Sequence, residues 1–361
     1  MSDLSFSELV ERVIGAKNPI LLTHTRPDGD TVGSCAALAS LFDAMGQTPT
    51  VVSPDPIPRR LAFLCGGKWF APVRDYPADA TVIAVDVASP QQLGDLQSVF
   101  VGSLAPSFMI DHHERGVAFC PRYLCADASA VGEIVYDLAV ELVARGTLPA
   151  IPPAAVNAIF ASVSSDSGCF KYSNVTPRTH RIAAALIELG AEAAEINRLL
   201  FDVKSAEVLR AEGYVASHVL STPDGKIAWV LVTDAIRDEL GLLDEHFETA
   251  IDVVRSLEGV EIAMTVKESP DGKFKVSLRS TGLDVARVAA TLGGGGHVRA
   301  AGCSLSAPSA ADAAEVAVKA VLRAQGNCLR LPTSSTFRMV PVVRLLTTHW
   351  IGCSPELSVW A

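Results

Sequence analysis

The chain has 361 residues, 49% of them apolar and 19% charged, with a formal charge of −10. That length allows about two domains at ~100–200 residues each, and the composition is that of a chain with a sizeable core, not a disordered one. The acidity excludes a coat for long nucleic acid, which needs a basic stripe to displace counterions, but a local pocket with metal ions and a few arginines still suits small anions.

Along the chain, the start Met1-Ser2-Asp3-Leu4-Ser5 lacks the basic segment and long apolar core of a signal peptide. No apolar run approaches the ~20 residues that span a bilayer. The expected compartment is the cytoplasm, with no membrane partner. The eight cysteines, at 35, 65, 120, 125, 169, 303, 328 and 353, form no Cys-x-x-Cys pair and read there as reduced thiols.

Residues 7–16 read as a short helix, 19–24 as a buried strand, and Thr31 to Met45, rich in Ala and Leu, as a helix packed closely on a sheet. Val51-Val52, Thr81 to Asp86 and Ser107 to Asp111 are further strands. Continuous apolar strands alternating with helices predict an α/β domain built on a parallel sheet covered on both faces. Helices are expected over 130–145 and 154–164, then a polar turn at Ser164-Ser165-Asp166-Ser167-Gly168. Helical segments at 178–189, 192–201 and 205–218 lead into a different texture. Strands at 227–232, 261–267 and 273–280, with a turn at Pro270-Asp271-Gly272, and a helix at 309–324 predict a smaller α+β domain. The domain expectation is 1–195, a helical connector 196–220, a second domain 221–326, and a tail 327–361 to which no function is assigned.

Three of these strands end in acid or imidazole. Thr23-His24-Thr25-Arg26-Pro27-Asp28-Gly29-Asp30 follows the first, Asp86 closes the third, and Asp111-His112-His113 closes the fourth. The carboxyl ends of strands are where open α/β sheets place ligands. Each feature has a plain structural reading: Asp-Gly-Asp as a tight turn, Asp86 as a cap or a solvated strand end, Asp166 as an Asx-turn. Two adjacent histidines at a sheet edge have no packing role that Leu or Phe would not fill better. Together His24, Asp28, Asp30, Asp86, His112 and Asp166 supply about the ligands that two hard cations require. Oxygen mixed with imidazole suits Mn²⁺ or Mg²⁺. Two such ions ~3.5–4 Å apart activate water for in-line attack on phosphorus. In the second domain, Gly293 to Gly296 and His297 follow a helix-like segment. Gly294, Gly295 and Gly296 can offer successive N–H groups to an anion, His297 can bond a phosphate oxygen, and Arg279 can fork onto one.

These motifs resemble those of the DHH phosphoesterases. Thr-His-x-Arg-Pro-Asp-Gly-Asp, the strand-end Asp86, Asp-His-His and Ser-Asp-Ser-Gly-Cys-Phe correspond to that family's four motifs. Gly-Gly-Gly-Gly-His-x-x-Ala-Ala-Gly resembles the signature of the DHH-associated C-terminal domain. The likeness runs over residues 5–325 in the right order; Val87 and Ser167 stand where Thr is more usual. Size and domain pairing are similar to the oligoribonuclease (nanoRNase)/pAp-phosphatase branch. The resemblance implies an enzyme that degrades very short RNA to mononucleotides and dephosphorylates 3′-phosphoadenosine 5′-phosphate (pAp). It implies one Mn²⁺ on His24, Asp28 and Asp86 and a second on Asp30, Asp86, His112 and Asp166, with Mg²⁺ or Co²⁺ as substitutes. It also implies that His113 contacts the scissile phosphate, that Asp111 orients the histidines, and that Arg279 and the Gly-His segment hold the distal nucleotide in an interdomain cleft. A homodimer is left open. The competing readings are a cyclic-di-AMP or pApA phosphodiesterase with the same core and a silent nucleotide-binding module. The complete ligand set argues against the silent module.

Overall fold

A computed structural model describes residues 3–66, 69–72, 79–100, 107–114, 116–326 and 338–339. These fall into two units, divided between Val203 and Lys204.

In the first unit the elements run α1 (Phe6–Ile14), β1 (Ile20–Leu22), α2 (Gly29–Ala44), β2 (Thr50–Val52), β3 (Val82–Val85), α3 (Gln97–Phe100), β4 (Ser107–Asp111), β5 (Arg122–Leu124), α4 (Val131–Ala144), α5 (Pro153–Asp166), α6 (Pro177–Glu188) and α7 (Ala193–Asn197). The five strands form a parallel sheet in the order β2-β1-β3-β4-β5. Strand β5 escapes the sequence reading because Arg-Tyr-Leu is not an apolar run, its three residues being only half-buried at the sheet edge. The apolar strands divide their side chains between two covered faces. Leu21, Ile83, Val85, Phe108 and Ile110 join one core with α1, α2, α4 and α5. Ile20, Leu22, Val82, Ala84 and Met109 join another with Leu93, Leu96 and Phe100. Chain order reverses between β1 and β3, so a switch-point crevice opens at their carboxyl ends.

Helix α2 packs chiefly on α5, and small residues permit the close approach. A Cβ at Gly29 would lie 2.2 Å from Ser165 Oγ, and one at Gly33 would lie 2.8 Å from the Ala158 carbonyl oxygen. The contact brings Ser162 of α5 against Asp30 of α2.

The second unit holds α8 (Ala206–Ser217), β6 (Leu220–Ser221), β7 (Ile227–Val232), α9 (Asp234–Leu240), α10 (Ala250–Arg255), β8 (Ile262–Glu268), β9 (Phe274–Ser280), α11 (Val285–Thr291), β10 (Gly295–His297), β11 (Ala300–Leu305), α12 (Ala310–Ala324) and β12 (Arg338–Met339). Its sheet runs β10-β11-β9-β8-β7-β6-β12, antiparallel except for β7 with β8. Trp229, Met264, Val276 and Leu278 face α11 and α12, while Ala228, Val230 and Val232 face α8 and α10. Of the 327–361 tail, only 338–339 lie among the described residues, paired with β6. No helix among the described residues is long and apolar enough to cross a membrane.

Two glycine substitutions separate intrinsic helix preference from packing. Gly213 in α8 has open space where a Cβ would sit, so Gly213→Ala should stabilise its unit by about 1 kcal/mol. Gly33→Ala gains the same preference, but its Cβ meets a backbone carbonyl that cannot rotate away. It should instead destabilise by about 1–3 kcal/mol. Thermal unfolding of both variants checks the opposite signs, and a neutral or stabilised Gly33→Ala would refute the packing account.

Candidate metal centre

The turn after β1 carries three of the predicted residues. His24 is 9% exposed, and its Nδ1 lies 2.8 Å from the Thr25 carbonyl oxygen. That contact requires the proton on Nδ1 and leaves the Nε2 lone pair for a ligand role. Asp28 caps α2, its Oδ1 accepting from Asp30 N at 3.0 Å and Thr31 N at 3.1 Å. The plain reading of Asp28 as a cap is therefore correct, and the same carboxylate also faces His24 Nε2 at 3.5 Å.

Asp30 is 1% exposed. Its Oδ2 accepts from Val131 N at 2.8 Å, and its Oδ1 from Ser162 Oγ at 2.6 Å, Ser34 Oγ at 3.0 Å and Gly132 N at 3.3 Å. Donors from α2, α4 and α5 thus converge on one carboxylate, and the N-terminus of α4 points at it.

Asp86, directly after β3, is 2% exposed and takes a left-handed backbone with φ of 61°. Few non-glycine residues do so, and Asp is among the more tolerant. Its plain readings fail: it is neither solvated nor the cap of a described helix. Oδ2 lies 3.5 Å from His24 Nε2, whereas Oδ1 lies 3.5 Å from His112 Nε2 and 3.4 Å from His113 Nδ1. Oδ1 is buried without a hydrogen-bond partner. An unsatisfied buried carboxylate oxygen is costly, and a cation between these groups would relieve it.

After β4, Asp111 Oδ1 accepts from the backbone N–H of His112 at 2.9 Å, that of His113 at 3.2 Å and His113 Nδ1 at 2.8 Å. His112 Nδ1 donates to the Ala128 carbonyl at 3.0 Å. Its Nε2 therefore faces Asp86, Asp30 Oδ2 at 3.7 Å and Asp166 Oδ2 at 3.9 Å. Asp166, at the end of α5, is brought there by the packing of α5 on α2 and α4, and its side chain faces His112. Among the described residues, three sets bring their ligand atoms within 4.8 Å: His24, Asp28 and Asp86; Asp30, His112 and Asp166; and Asp86, His112 and His113. The third is the poorest ligand set, because the His113 nitrogen directed inward carries the proton bound to Asp111.

The electrostatics describe a site short of positive charge. Burial alone would push His24 down, but the hydrogen bonds and charges of Asp28 and Asp86 override it and raise the ring to about 11. His112 is likewise opposed by burial but raised to about 9 by Asp30, Asp86 and Asp166. Burial, with the charge of Asp86, lifts Asp30 to about 7. Burial and the Asp30 charge also hold Asp166 above the usual carboxylate range. Burial opposes ionisation of Asp111, but its bond to His113 wins and keeps it low. Protons collect where divalent ions would serve better.

In the second unit, Gly294 to Gly296 are not an open loop. Gly295–His297 form an edge strand, with His297 paired to Ala300 and Ala300 to Arg279. His297 and Arg279 thus fall on one row across three strands; the side chain of His297 lies outside the described atoms. Gly294 and Gly296 have a packing reason as well, since a Cβ there would lie 2.1 Å from the Gly302 oxygen and 2.5 Å from the Ala300 oxygen. Arg279 Nη1 donates to the Leu278 carbonyl at 3.1 Å.

Several supporting residues were not foreseen. Ser162 stands four residues before Asp166, one helical turn away on the same face, so its spacing was a usable signal. Arg122 Nη1, 4.0 Å from Asp111 Oδ2, and Asn174, which donates to Asp166, had none. Asn174 is placed by a loop in which Gly168, Cys169 and Phe170 all have positive φ.

Residues 19–161 match the DHH family, N-terminal domain, and 224–324 match the DHHA1 domain. The chain is 32% identical over 325 residues to the Thermus thermophilus protein named bifunctional oligoribonuclease and PAP phosphatase NrnA, covering 87% of this chain and 92% of that one. The Bacillus subtilis protein of the same name is 24% identical over 85% of this chain and 95% of its own. Proteins named as cyclic-di-AMP phosphodiesterases are more distant, at 23% and 22% identity over 48% of their length. A crystal structure described as an exopolyphosphatase-related protein from Bacteroides fragilis shares the fold, with a TM-score of 0.78 and 23% identity over 89% of this chain and 95% of that one. With both domains matched in order and that relative aligned nearly end to end, the chain belongs to the DHH family of metal-dependent phosphoesterases.

Proposed function

We propose that this protein hydrolyses short oligoribonucleotides to mononucleotides and dephosphorylates pAp, acting in the cytoplasm with two Mn²⁺ ions. The observation that carries the reading is Asp86, whose two oxygens face histidines of two different ligand sets. One ion would be held by His24, Asp28 and Asp86, the other by Asp30, Asp86, His112 and Asp166. Mixed carboxylate and imidazole favours Mn²⁺, with Mg²⁺ or Co²⁺ as substitutes. When bound, such a pair polarises phosphoryl oxygens and supplies a nucleophile at neutral pH.

The chain's own residues do the rest. Asp111 holds the proton on His113 Nδ1 and, despite burial, raises the basicity of the ring, which orients His113 toward the scissile phosphate in this reading. Ser162, Ser34 and the α4 amides hold Asp30 in one rotamer. Arg279, Gly294, Gly295, Gly296 and His297 are proposed to grip the nucleotide away from the reacting phosphate, making residues 221–326 the substrate-binding domain. The relatives named as oligoribonucleases and PAP phosphatases support this substrate class.

The functional test incubates purified protein and Mn²⁺ with 5′-labelled RNA from dimers to 24-mers, and separately with pAp, pApA and cyclic di-AMP. RNAs of two to five nucleotides and pAp should be turned over fastest, because a chain of charge −10 offers longer polymers little added attraction. Equal rates per end on a 5-mer and a 24-mer would count against this function, as would a preference for cyclic di-AMP.

The bridging role of Asp86 is tested by Asp86→Asn, since Asn also tolerates the left-handed backbone. Affinity for both ions and turnover should fall by more than the ~10–100-fold typical of groups one step removed from a metal. Near-normal turnover at saturating Mn²⁺ would eliminate the bridge.

The pH dependence of metal binding has a definite sign. His24 at about 11 and His112 at about 9 hold protons in the metal-free protein at neutral pH, and Asp30 at about 7 holds one part of the time. The ions must displace them. Apparent Mn²⁺ affinity should therefore rise as pH increases from about 6 to 9. Calorimetry in buffers of different ionisation enthalpy should show net proton release, and zero release would contradict it.

A further inference from the structure

The ligands of the two proposed ions are held in different ways. His24 is oriented by the neighbouring Thr25 carbonyl, and Asp28 by the first amides of its own helix. The other set converges on five consecutive buried residues, Ala128 to Gly132. His112 donates to the Ala128 carbonyl, and Asp30 accepts from the amides of Val131 and Gly132. Asp166 is joined to this segment through Asn174. Its Nδ2 donates to the Ser129 carbonyl at 2.9 Å, the Asp166 carbonyl at 3.1 Å and Asp166 Oδ2 at 3.4 Å.

Two carbonyl acceptors determine which way the Asn174 amide points, since Oδ1 turned toward them would be repelled. Oδ1 is then left buried without a protein hydrogen bond, a cost that an apolar residue would avoid. The segment is itself anchored. Ser129 Oγ and Thr179 Oγ1 each donate to Glu133 Oε1 at 2.6 Å, and Arg178 Nε donates to Oε2 at 3.1 Å, with Glu133 fully buried.

We propose that Asn174 is a positioning residue for one ion only: it ties Asp166 to the 128–132 segment, which thereby sets Asp30, His112 and Asp166 as a single template. The inference rests on the ligand assignment above and deepens it. Residues that orient ligands from one step away alter affinity by roughly 10–100-fold, and here that effect falls on one of two ions.

The experiment counts bound Mn²⁺ by electron paramagnetic resonance on the full-length protein during titration. In Asn174→Ala one ion should weaken by roughly 10–100-fold and the other should stay within about twofold. Adding Asn174→Ala to His112→Ala should change nothing further, whereas adding it to His24→Ala should weaken the ion that remains. Turnover of Asn174→Ala should recover at high Mn²⁺ concentration, which a distorted fold would not allow. Equal weakening of both ions, or of neither, with native circular dichroism, would overturn the proposal. Asn174→Ser is read the same way should the alanine variant unfold. If His24→Ala and His112→Ala each still bind two ions, the ligand assignment fails with it. If each loses one ion while Asn174→Ala fails to discriminate, only the positioning role falls.

Discussion

Asp30 is a carboxylate out of reach of water, and the arrangement of the first unit follows from keeping it there. Burying such a group without compensation costs many kcal/mol. Here the amides of Val131 and Gly132 and the hydroxyls of Ser34 and Ser162 supply four hydrogen bonds from three helices. Those donors reach one point only because α2 and α5 approach through Gly29 and Gly33, while Gly132 leaves room for Ser162. Small residues that look merely compatible with a helix thus set how closely three helices meet, and so where the site's deepest oxygen stands.

The parallel sheet supplies the other half of the site. Strands β1, β3 and β4 are neighbours, so the residues following each of them collect at one edge although more than eighty positions separate the first from the last. Asp86 takes a left-handed backbone there, turning its carboxylate between the histidines that follow β1 and β4. Local strain of this kind concentrates at functional sites, where the surrounding packing holds it in place. Backbone carbonyls complete the design. Thr25 and Ala128 each fix the proton of a histidine on Nδ1, presenting Nε2 to the carboxylates.

The second unit solves a different problem with similar economy. Gly295 and Gly296 of its glycine run pair in an edge strand, and Gly294 and Gly296 are explained by backbone oxygens that a Cβ would strike. That pairing places His297 and Arg279 on one row of the sheet.

Much of this was legible in the residues themselves. Apolar runs of strand length ending in Asp or His specify both a doubly covered sheet and the end at which chemistry collects, because strand burial and ligand placement obey periodicities that survive in one dimension. The later change in texture likewise marked a second domain with a mixed sheet. Strand β5 was invisible, since a half-buried edge strand leaves no apolar run, and the glycine run read as a loop because edge pairing depends on a partner strand. Only the tertiary structure decided that Asp28 is cap and candidate ligand together, that the two Asp86 oxygens face His24 and His112, and that Arg122 and Asn174 lie beside Asp111 and Asp166. Those facts depend on angles and on contacts between distant segments. Hydrogen bonding is directional and short-ranged, so it becomes determined only once packing has brought its partners within about 3 Å.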